Sequence, residues 1–448
     1  EFRELRISSL TDIVRSQGLG SSEVPDLEGD TIGRTSLFEM FAETELPIFD
    51  FFDLNLSGRY TSEENFGSEF TYSVKGDLRP TDWLRIRSTY GTTFRAPNLR
   101  EQFLAGQAGT IAGGADPCIV PTVARLPGNI YDPTQDPRSA ELLANCVAAG
   151  ADPTQLGLLA TTGIPTTTGG NPDAQAETSD SFTFGAVVMP PISDRFDINL
   201  SVTYFDIEIN NTLRESNPAT LLAQCYGGAP NLADPACARI TRATGNPATA
   251  VITNVDAAFI NIGRLTSRGV DYNARFAMPV GLFGYDLDFT ASATVTQLLR
   301  QEEQVDADTA AQDFAGTIAS PEWRGNFTAT LGTPNWMALW RARYIGEGQQ
   351  LNTPAAINPA PNNACGILGA PAGTTCVFKD FTDSYWQHDL SISFERDNWS
   401  LAAGVVNIFD EGPPLIHKGR GPARMNMVVQ SGHDLIGRRA FVNLSRRF

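Results

Sequence analysis

The sequence has 448 residues, of which 42% are hydrophobic and 19% are charged, and its formal net charge is −18. So acidic a chain lacks the basic footprint of a nucleic-acid-binding protein and the positive surface that docks on anionic headgroups. No run of about 18 apolar residues occurs, so the sequence predicts no transmembrane helix.

The dominant pattern along the chain is an alternation of apolar and polar residues in segments of about ten residues. In segment 50–61, for example, Leu54 and Leu56 alternate with Asp53 and Asn55. A β-strand places alternate side chains on opposite faces, so each segment predicts a strand with one apolar and one polar face. Thirteen segments share the pattern: 34–46, 50–61, 69–78, 83–94, 178–188, 196–204, 270–278, 285–296, 322–331, 337–345, 385–395, 399–408 and 437–448.

The connections between these segments alternate between short turns and long loops. The long connections are 95–177, 205–269, 297–321, 346–384 and 409–436. A soluble β-sandwich rarely has several loops longer than about 15 residues, whereas an outer-membrane barrel has short periplasmic turns and long extracellular loops. The sequence therefore predicts an all-β, antiparallel transmembrane barrel over 34–448, preceded by an extracellular loop segment over 1–33.

The six cysteines occur as three close pairs within the long loops. The predicted disulfides are Cys118 with Cys146, Cys225 with Cys237, and Cys365 with Cys376. None has C-x-x-C spacing, so zinc and redox motifs are not indicated, and local disulfides on an oxidising face are favoured. Free buried cysteines are the alternative, and six cysteines allow other pairings.

Six strings, in their order along the chain, resemble those of TonB-dependent outer-membrane receptors. They are DWLRIRSTYGTTFRAPNLRE at 82–101, AETSDSF at 176–182, YFDIEI at 204–209, SRGVD at 267–271, GVVNIFD at 404–410 and GRRAFVNLSRRF at 437–448. The resemblance runs from about residue 34 to 448. It implies a 22-stranded barrel around an N-terminal plug, and active uptake energised from the inner membrane through a peptide that precedes the plug.

The last segment resembles the terminal strand of this family, with Val442, Leu444 and Phe448 facing lipid as the signal for barrel assembly. The chain departs from the family pattern at Arg446, where an aromatic residue is common. A second departure is at 433–434, where His-Asp replaces the usual tyrosine. These departures weaken the assembly signal without removing its apolar face.

The strand count indicates an incomplete barrel. If 437–448 is strand 22, then 34–46 is strand 10, and both run toward the periplasm. Thirteen strands with parallel ends cannot close by antiparallel pairing, and barrels of this kind use even numbers. We therefore expect a partner that supplies the plug and about nine strands, either a separate N-terminal chain or a cleavage product of the same receptor. The energising TonB system would act through that partner.

Five arginines on the polar strand faces are candidates for the ligand vestibule: Arg95, Arg85, Arg87, Arg341 and Arg343. Mutual pairing with acidic residues of neighbouring strands is the alternative role for each of them. Asp116, Asp132 and Asp136 are weak candidates for Ca²⁺ binding in the first long loop, where a solvated acidic surface is the simpler interpretation. No other cofactor or metal is predicted.

Enzyme motifs such as G-x-x-x-x-G-K-[ST], H-E-x-x-H and G-x-S-x-G are absent from the sequence, so no enzymatic activity is predicted. The resemblance instead implies part of an outer-membrane receptor that takes up a scarce ligand. Two alternatives stay open: a scaffold barrel within a surface complex, and a passive porin.

Overall fold

An antiparallel sheet of 15 strands dominates a computed structural model of the chain. The structure describes residues 2–9, 27–28, 30–158, 163–227, 229–282, 284–305, 310–350, 358–359, 377–378, 381–416, 423–424, 427–429 and 431–446. Fourteen of the strands neighbour one another in chain order, and the short strand Gln312–Asp313 pairs with the ninth. The fourteen are β1 (Phe2–Ser9), β2 (Thr31–Phe49), β3 (Phe52–Glu63), β4 (Gly67–Thr81), β5 (Leu84–Arg95), β6 (Glu177–Val188), β7 (Asp197–Asn210), β8 (Arg264–Leu282), β9 (Tyr285–Gln304), β10 (Trp323–Thr333), β11 (Trp336–Ile345), β12 (Tyr385–Arg396), β13 (Trp399–Val406) and β14 (Arg439–Arg446).

All thirteen predicted segments are strands, but the prediction of a loop over all of 1–33 is wrong at its start. Strand β1 pairs with β2 along its whole length, from Phe2 opposite Phe38 to Ser9 opposite Thr31. The sequence of β1 lacks clear alternation because two charged residues, Arg3 and Glu4, follow one another, and the strand was therefore not predicted. With fourteen strands, β1 and β14 run in opposite directions, so the argument from an odd strand count is wrong.

Local sequence explains the tight turns at one end of the sheet. Between β12 and β13, Arg396 pairs with Trp399, and Asp397 in the two-residue turn adopts a φ of 50°. Positive φ in a two-residue turn matches the twist of the flanking strands, and Asp tolerates it better than most residues. Between β10 and β11, Thr333 pairs with Trp336 across an equally short turn.

Strands β8 and β9 extend well beyond their predicted ends, to 19 and 20 residues. At about 3.4 Å per residue they are far longer than the apolar band of about 25 Å that a tilted barrel strand must cross. Most of the extra length lies at the long-loop end, where both strand faces carry polar residues such as Arg264, Glu302 and Glu303. Alternation stops where both faces meet water, so the pattern ended before the strands did.

The first two long loops fold together with a short strand from 27–28 into a unit that we call the loop domain, formed by 27–28 and by the described residues of 106–168 and 213–262. Its central sheet has five strands, in the order Ile240–Arg242, Ile252–Asp256, Ile164–Thr168, Gly106–Ile111 and Leu27–Glu28. Smaller pairs join Leu213–Glu215 to Phe259–Asn261 and Arg125–Leu126 to Ile130–Tyr131. The loop domain is the part of the fold that the sequence pattern did not predict.

Three α-helices lie in the described loops: α1 (Leu99–Phe103), α2 (Ala140–Ala148) and α3 (Pro218–Gly227). Six 3₁₀ turns accompany them: Gly113–Ala115, Thr122–Ala124, Pro133–Gln135, Pro230–Leu232, Pro235–Arg239 and Pro247–Thr249. Within the described ranges, no helix has both the length and the apolar composition needed to cross a bilayer. Short strand pairs close the later loops: Gly348–Gln349 with Phe381–Thr382, Asn358–Pro359 with Val377–Phe378, and Ala423–Arg424 with Met427–Val428.

Candidate functional site

The loop domain has a hydrophobic core of its own. Its buried residues come from both long loops: Cys118, Cys146, Ala151, Leu156, Ile164, Leu221, Leu222, Cys225, Tyr226, Ala236, Ala250, Ile252, Val255 and Ala257. Helices α2 and α3 both contribute, and Asn145 of α2 donates to the carbonyl of Tyr226 in α3 at 3.1 Å. The two loops therefore form one packed unit at the long-loop end of the sheet.

A buried ion pair joins the two loops across 126 residues of sequence. Two nitrogens of the Arg242 guanidinium donate to the Asp116 carboxylate at 2.9 and 2.8 Å, and both side chains are at most 5% exposed. Arg242 also donates to the Tyr226 hydroxyl at 2.9 Å and to the Ala250 carbonyl at 2.7 Å. Burial raises the pKa of Tyr226, so this hydroxyl stays neutral at physiological pH. Every charge in the cluster is therefore compensated, as a buried pair requires.

Two of the three predicted disulfides are confirmed, and both lie in the loop domain. Cys118 is bonded to Cys146 and Cys225 to Cys237. The third predicted pair, Cys365 with Cys376, falls outside the described residues.

The acidic residues proposed as weak Ca²⁺ ligands are engaged elsewhere. Asp116 binds Arg242, and Asp136 accepts a hydrogen bond from Arg138 at 2.7 Å. Hydrogen bonds from Arg138 lower the pKa of Asp136 to about 2. Asp132 accepts from the Thr134 backbone at 2.9 Å. The described part of the chain holds no cluster of three or more metal-ligating side chains.

A cavity of about 1020 Å³ opens at the edge of the loop domain beside α3, next to the Cys225–Cys237 disulfide. Its lining is mainly apolar, with polar side chains at Asn217, Gln224, Asp234, Arg239 and Asn261. This volume and the mixture of an apolar wall with a few polar groups are typical of small-molecule pockets. The cavity was not predicted, because its lining comes from two sequence segments that pair only in the fold.

Arg95 lies at the long-loop end of β5, on the lumen face, where it holds the first loop in place. Its guanidinium donates to Glu177 at 2.6 Å and to Glu101 at 2.9 and 3.0 Å. Glu101 in turn completes a capping box with Asn98 at the start of α1. Both carboxylates keep Arg95 occupied, so it is a positioning residue at the rim rather than a free cation for a ligand.

A second group of arginines on β10 and β11 faces the lumen without carboxylate partners. Arg341 and Arg343 were predicted, and Arg324 joins them because its neighbour Asn326 pairs directly with Arg343. Arg324 donates to the Ala319 carbonyl at 3.0 Å and Arg343 to the Gly432 carbonyl at 2.9 Å. Among the described residues, no carboxylate forms an ion pair with any of the three arginines.

The one acid opposite this group is Asp389 of β12, which pairs in register with Arg341. Its carboxylate accepts instead from the Gln387 side chain at 3.0 Å and from the Asn407 backbone at 2.9 Å. Residues diagonal to each other on neighbouring strands lie about 7–8 Å apart. Arg324, Arg341 and Arg343 therefore form one positive strip, which we call the lumen arginine strip.

The remaining two vestibule candidates do not belong to this group. Arg85 and Arg87 lie at the short-turn end of β5, where Arg85 forms an ion pair with Asp77. Arg87 pairs in register with Asp77 and donates to Thr203 at 3.4 Å. The vestibule assignment of Arg85 and Arg87 stays a prediction, and their position at the short-turn end separates them from the long loops.

The C-terminal strand is placed as predicted. Val442 and Leu444 are 75% and 63% exposed and pair with Ala403 and Leu401 on the apolar face of the sheet. Phe448 lies outside the described residues.

Comparison with known proteins identifies a match over most of the chain. The model of the TonB dependent receptor-like, beta-barrel family matches residues 4–408. A search of curated proteins finds no match.

Solved structures share the fold at low sequence identity. The siderophore receptor PirA from Acinetobacter baumannii has a TM-score of 0.56 and 14% identity, over 100% of this chain and 54% of that chain. A mutant of the ferric enterobactin receptor PfeA from Pseudomonas aeruginosa, in complex with enterobactin, has a TM-score of 0.58 and 14% identity, over 99% of this chain and 50% of that chain. This chain thus spans about half the length of the solved structures that it matches.

Proposed function

This chain belongs to the TonB-dependent receptor β-barrel family of the Gram-negative outer membrane, and on that premise we propose that it takes part in active uptake of an anionic ligand. It contributes much of the barrel wall, the loop domain that first meets the ligand, and the lumen arginine strip that the ligand passes. The lumen arginine strip is the observation on which the proposal rests.

The argument from the strip is electrostatic. A lumen-facing arginine without a carboxylate partner keeps its donors free, and Arg is suited to planar recognition of carboxylate, phosphate or catecholate oxygens. Two other lumen-facing arginines have acidic partners, since Arg85 has Asp77 and Arg95 has Glu177. The absence of such partners at the strip favours an external anion as the partner. At 14% identity the solved structures support the fold and not the ligand of this chain. The proposed class of ligand therefore rests on the lumen arginine strip alone.

We further propose that an N-terminal part of the receptor supplies the plug and the rest of the barrel. Among the described residues, β1 and β14 do not pair with each other, so each leaves one edge of the sheet open. Unpaired backbone groups in lipid cost several kcal/mol each. In a 22-stranded barrel, fourteen strands leave about eight to be supplied. Mass spectrometry of the receptor purified from outer membranes tests this proposal, and a closed barrel made of these 448 residues alone would refute it.

The uptake proposal is tested on the complete receptor with ferric citrate and a ferric tricatecholate as anionic probes and cobalamin as the comparison probe. We expect an anionic probe to bind, and the variant Arg324→Gln/Arg341→Gln/Arg343→Gln to bind it at least about tenfold more weakly, since one hydrogen bond to a charged group contributes about 1.5 kcal/mol or more. The matched control Arg85→Gln/Arg87→Gln removes two lumen charges at the other end and should leave affinity unchanged. Binding of cobalamin alone would refute the anionic class.

The same cells distinguish active uptake from the two alternatives. Uptake that stops when the proton-motive force is dissipated supports an energised receptor. Uptake that continues indicates a passive porin, and binding without any uptake indicates a scaffold.

A further inference from the structure

A groove of about 450 Å³ lies on the lipid-facing wall of the barrel, away from the lumen and the loop domain. Its floor consists of alanines on three neighbouring strands: Ala274, Ala291, Ala293 and Ala329. They belong to the apolar faces of β8, β9 and β10, because Ala274 pairs with Ala293 and Ala291 pairs with Ala329. The floor is therefore a shallow valley in a surface that is otherwise built from bulky side chains.

Large apolar side chains form both walls of the groove. Ile198, Leu200 and Phe276 stand on one side, and Phe327 and Trp340 stand on the other. A groove with this lining in the apolar band of an outer-membrane barrel faces hydrocarbon, so its occupant is a lipid chain. Methylene groups that fill it gain contacts on three sides that a flat barrel wall does not offer.

Polar groups that suit a lipid headgroup lie above the groove on the same face. Tyr272 stacks on Trp323 with ring centres 6.2 Å apart, as expected of an interfacial aromatic pair. Four residues from Tyr272 along β8, or about 13 Å at the usual strand rise, Arg268 lies directly opposite Arg300 of β9. Arg268 pairs in register with Asp206, and both share the face of Tyr204, Val270 and Tyr272, which is the outer face of β7 and β8.

The two arginines retain unused donors. Arg268 donates through Nε to Asp206 at 2.7 Å, and Nε of Arg300 lies 3.4 Å from Glu302. No described residue bonds to the terminal nitrogens of either guanidinium. Like charges directly opposite each other on a sheet are unfavourable, and an anion between the two guanidinium groups would reduce this repulsion. Two adjacent forks of free N–H groups match a phosphate, which guanidinium groups bind in bidentate fashion.

We propose that this surface is a binding site for one anionic lipid of the outer leaflet, with an acyl chain in the alanine groove and the phosphate between Arg268 and Arg300. The site lies on the outside of the barrel, so its occupant is distinct from any ligand that crosses the lumen. It ties the long strand β8, which follows the second loop of the loop domain, and its neighbour β9 to the surrounding membrane.

The test is native mass spectrometry of the complete receptor released from outer membranes in a mild detergent, followed by analysis of the retained lipid. We expect one retained lipid per receptor, and its headgroup should carry a phosphate with net negative charge. Ala291→Leu/Ala293→Leu fills the groove and should lower occupancy at least about tenfold. Arg268→Gln/Arg300→Gln removes the headgroup donors and should lower it to a similar degree.

Controls separate the site from general effects on the barrel. Ala403→Leu makes one such Ala→Leu change on the lipid-facing side of β13, away from the groove, and should leave occupancy unchanged. If the groove-filling variant does not fold, the arginine variant decides, because it changes only groups above the apolar band. Phospholipid and lipopolysaccharide are told apart by the mass of the retained species, and either supports the proposal if it is anionic. Equal occupancy in all variants, no retained lipid in the wild type, or retention of zwitterionic lipid alone would overturn it.

Discussion

The ion pair between Asp116 and Arg242 makes a sharp prediction, because it joins the two long loops inside the loop domain. The substitution Arg242→Met keeps much of the side-chain volume and removes the charge. It leaves the Asp116 carboxylate, 2% exposed, without its two charged donors, and the Tyr226 hydroxyl loses a partner as well. Breaking a buried pair by removing one partner costs about 3–5 kcal/mol.

We expect this cost to appear as local opening of the loop domain, while the barrel keeps its stability. Opening free energies from amide hydrogen exchange should fall by about 3–5 kcal/mol in α2 and α3, which pack in the same core, and stay unchanged in β12 and β13. The double variant Asp116→Leu/Arg242→Met removes both charges and should recover much of the loss. Exchange that is unchanged in α2 and α3, or a double variant as unstable as the single one, would refute the assignment of this pair as the link between the loops.

Three further predictions concern groups in the loops. Cys118→Ser opens the disulfide to Cys146 and should lower the opening free energy of the loop domain by about 3–4 kcal/mol in the chain-entropy model, measured by proteolysis with and without denaturant. Asp136 has a folded-state pKa of about 2, below its usual 3.8, so its stabilising effect is complete above about pH 4 and is lost as the pH falls toward 2. Amide hydrogen exchange of the loop domain, measured from about pH 4 to pH 2, should show this loss of stability. Burial, and then the charge of Arg324, lower the pKa of His433 to about 4, so Arg324→Gln should raise its NMR titration midpoint.

The strands of the barrel wall could be predicted because their pattern depends only on residues that are close in sequence. Alternation with period two depends only on one face meeting lipid and the other meeting water, and it held in all thirteen segments. It failed where the contrast between the two faces is lost. Strand β1 has consecutive charges at Arg3 and Glu4, and the upper parts of β8 and β9 have water on both sides.

The loop domain was not predictable, because its core unites residues that are distant in sequence. Asp116 lies 126 residues from Arg242, and neither residue has a neighbour pattern that indicates burial. The cysteines were the one usable signal, since a disulfide implies a fixed local structure around it. They indicated constrained loops but not that two loops share a sheet and a core.

The lumen arginine strip could also be predicted only in part from the sequence. The sequence placed Arg85, Arg87, Arg341 and Arg343 on the polar face correctly, since the face follows from parity alone. Their different roles depend on partners across the sheet, because Arg85 meets Asp77 whereas Arg343 meets Asn326. The strand register decides which partner each arginine meets, and the register cannot be read from the pattern of a single sequence.

The net charge of −18 does not conflict with an anionic ligand, because charge acts locally in salt solution. At physiological ionic strength the Debye length is about 8 Å, so acids on distant loops are largely screened from a ligand in the lumen. The walls themselves differ: β2 presents Glu43 and Glu45 to the lumen, whereas β10 and β11 present Arg324, Arg341 and Arg343. If the proposed anionic ligand enters the lumen, we expect the first wall to repel it and the second to attract it, so that it passes along β10 and β11.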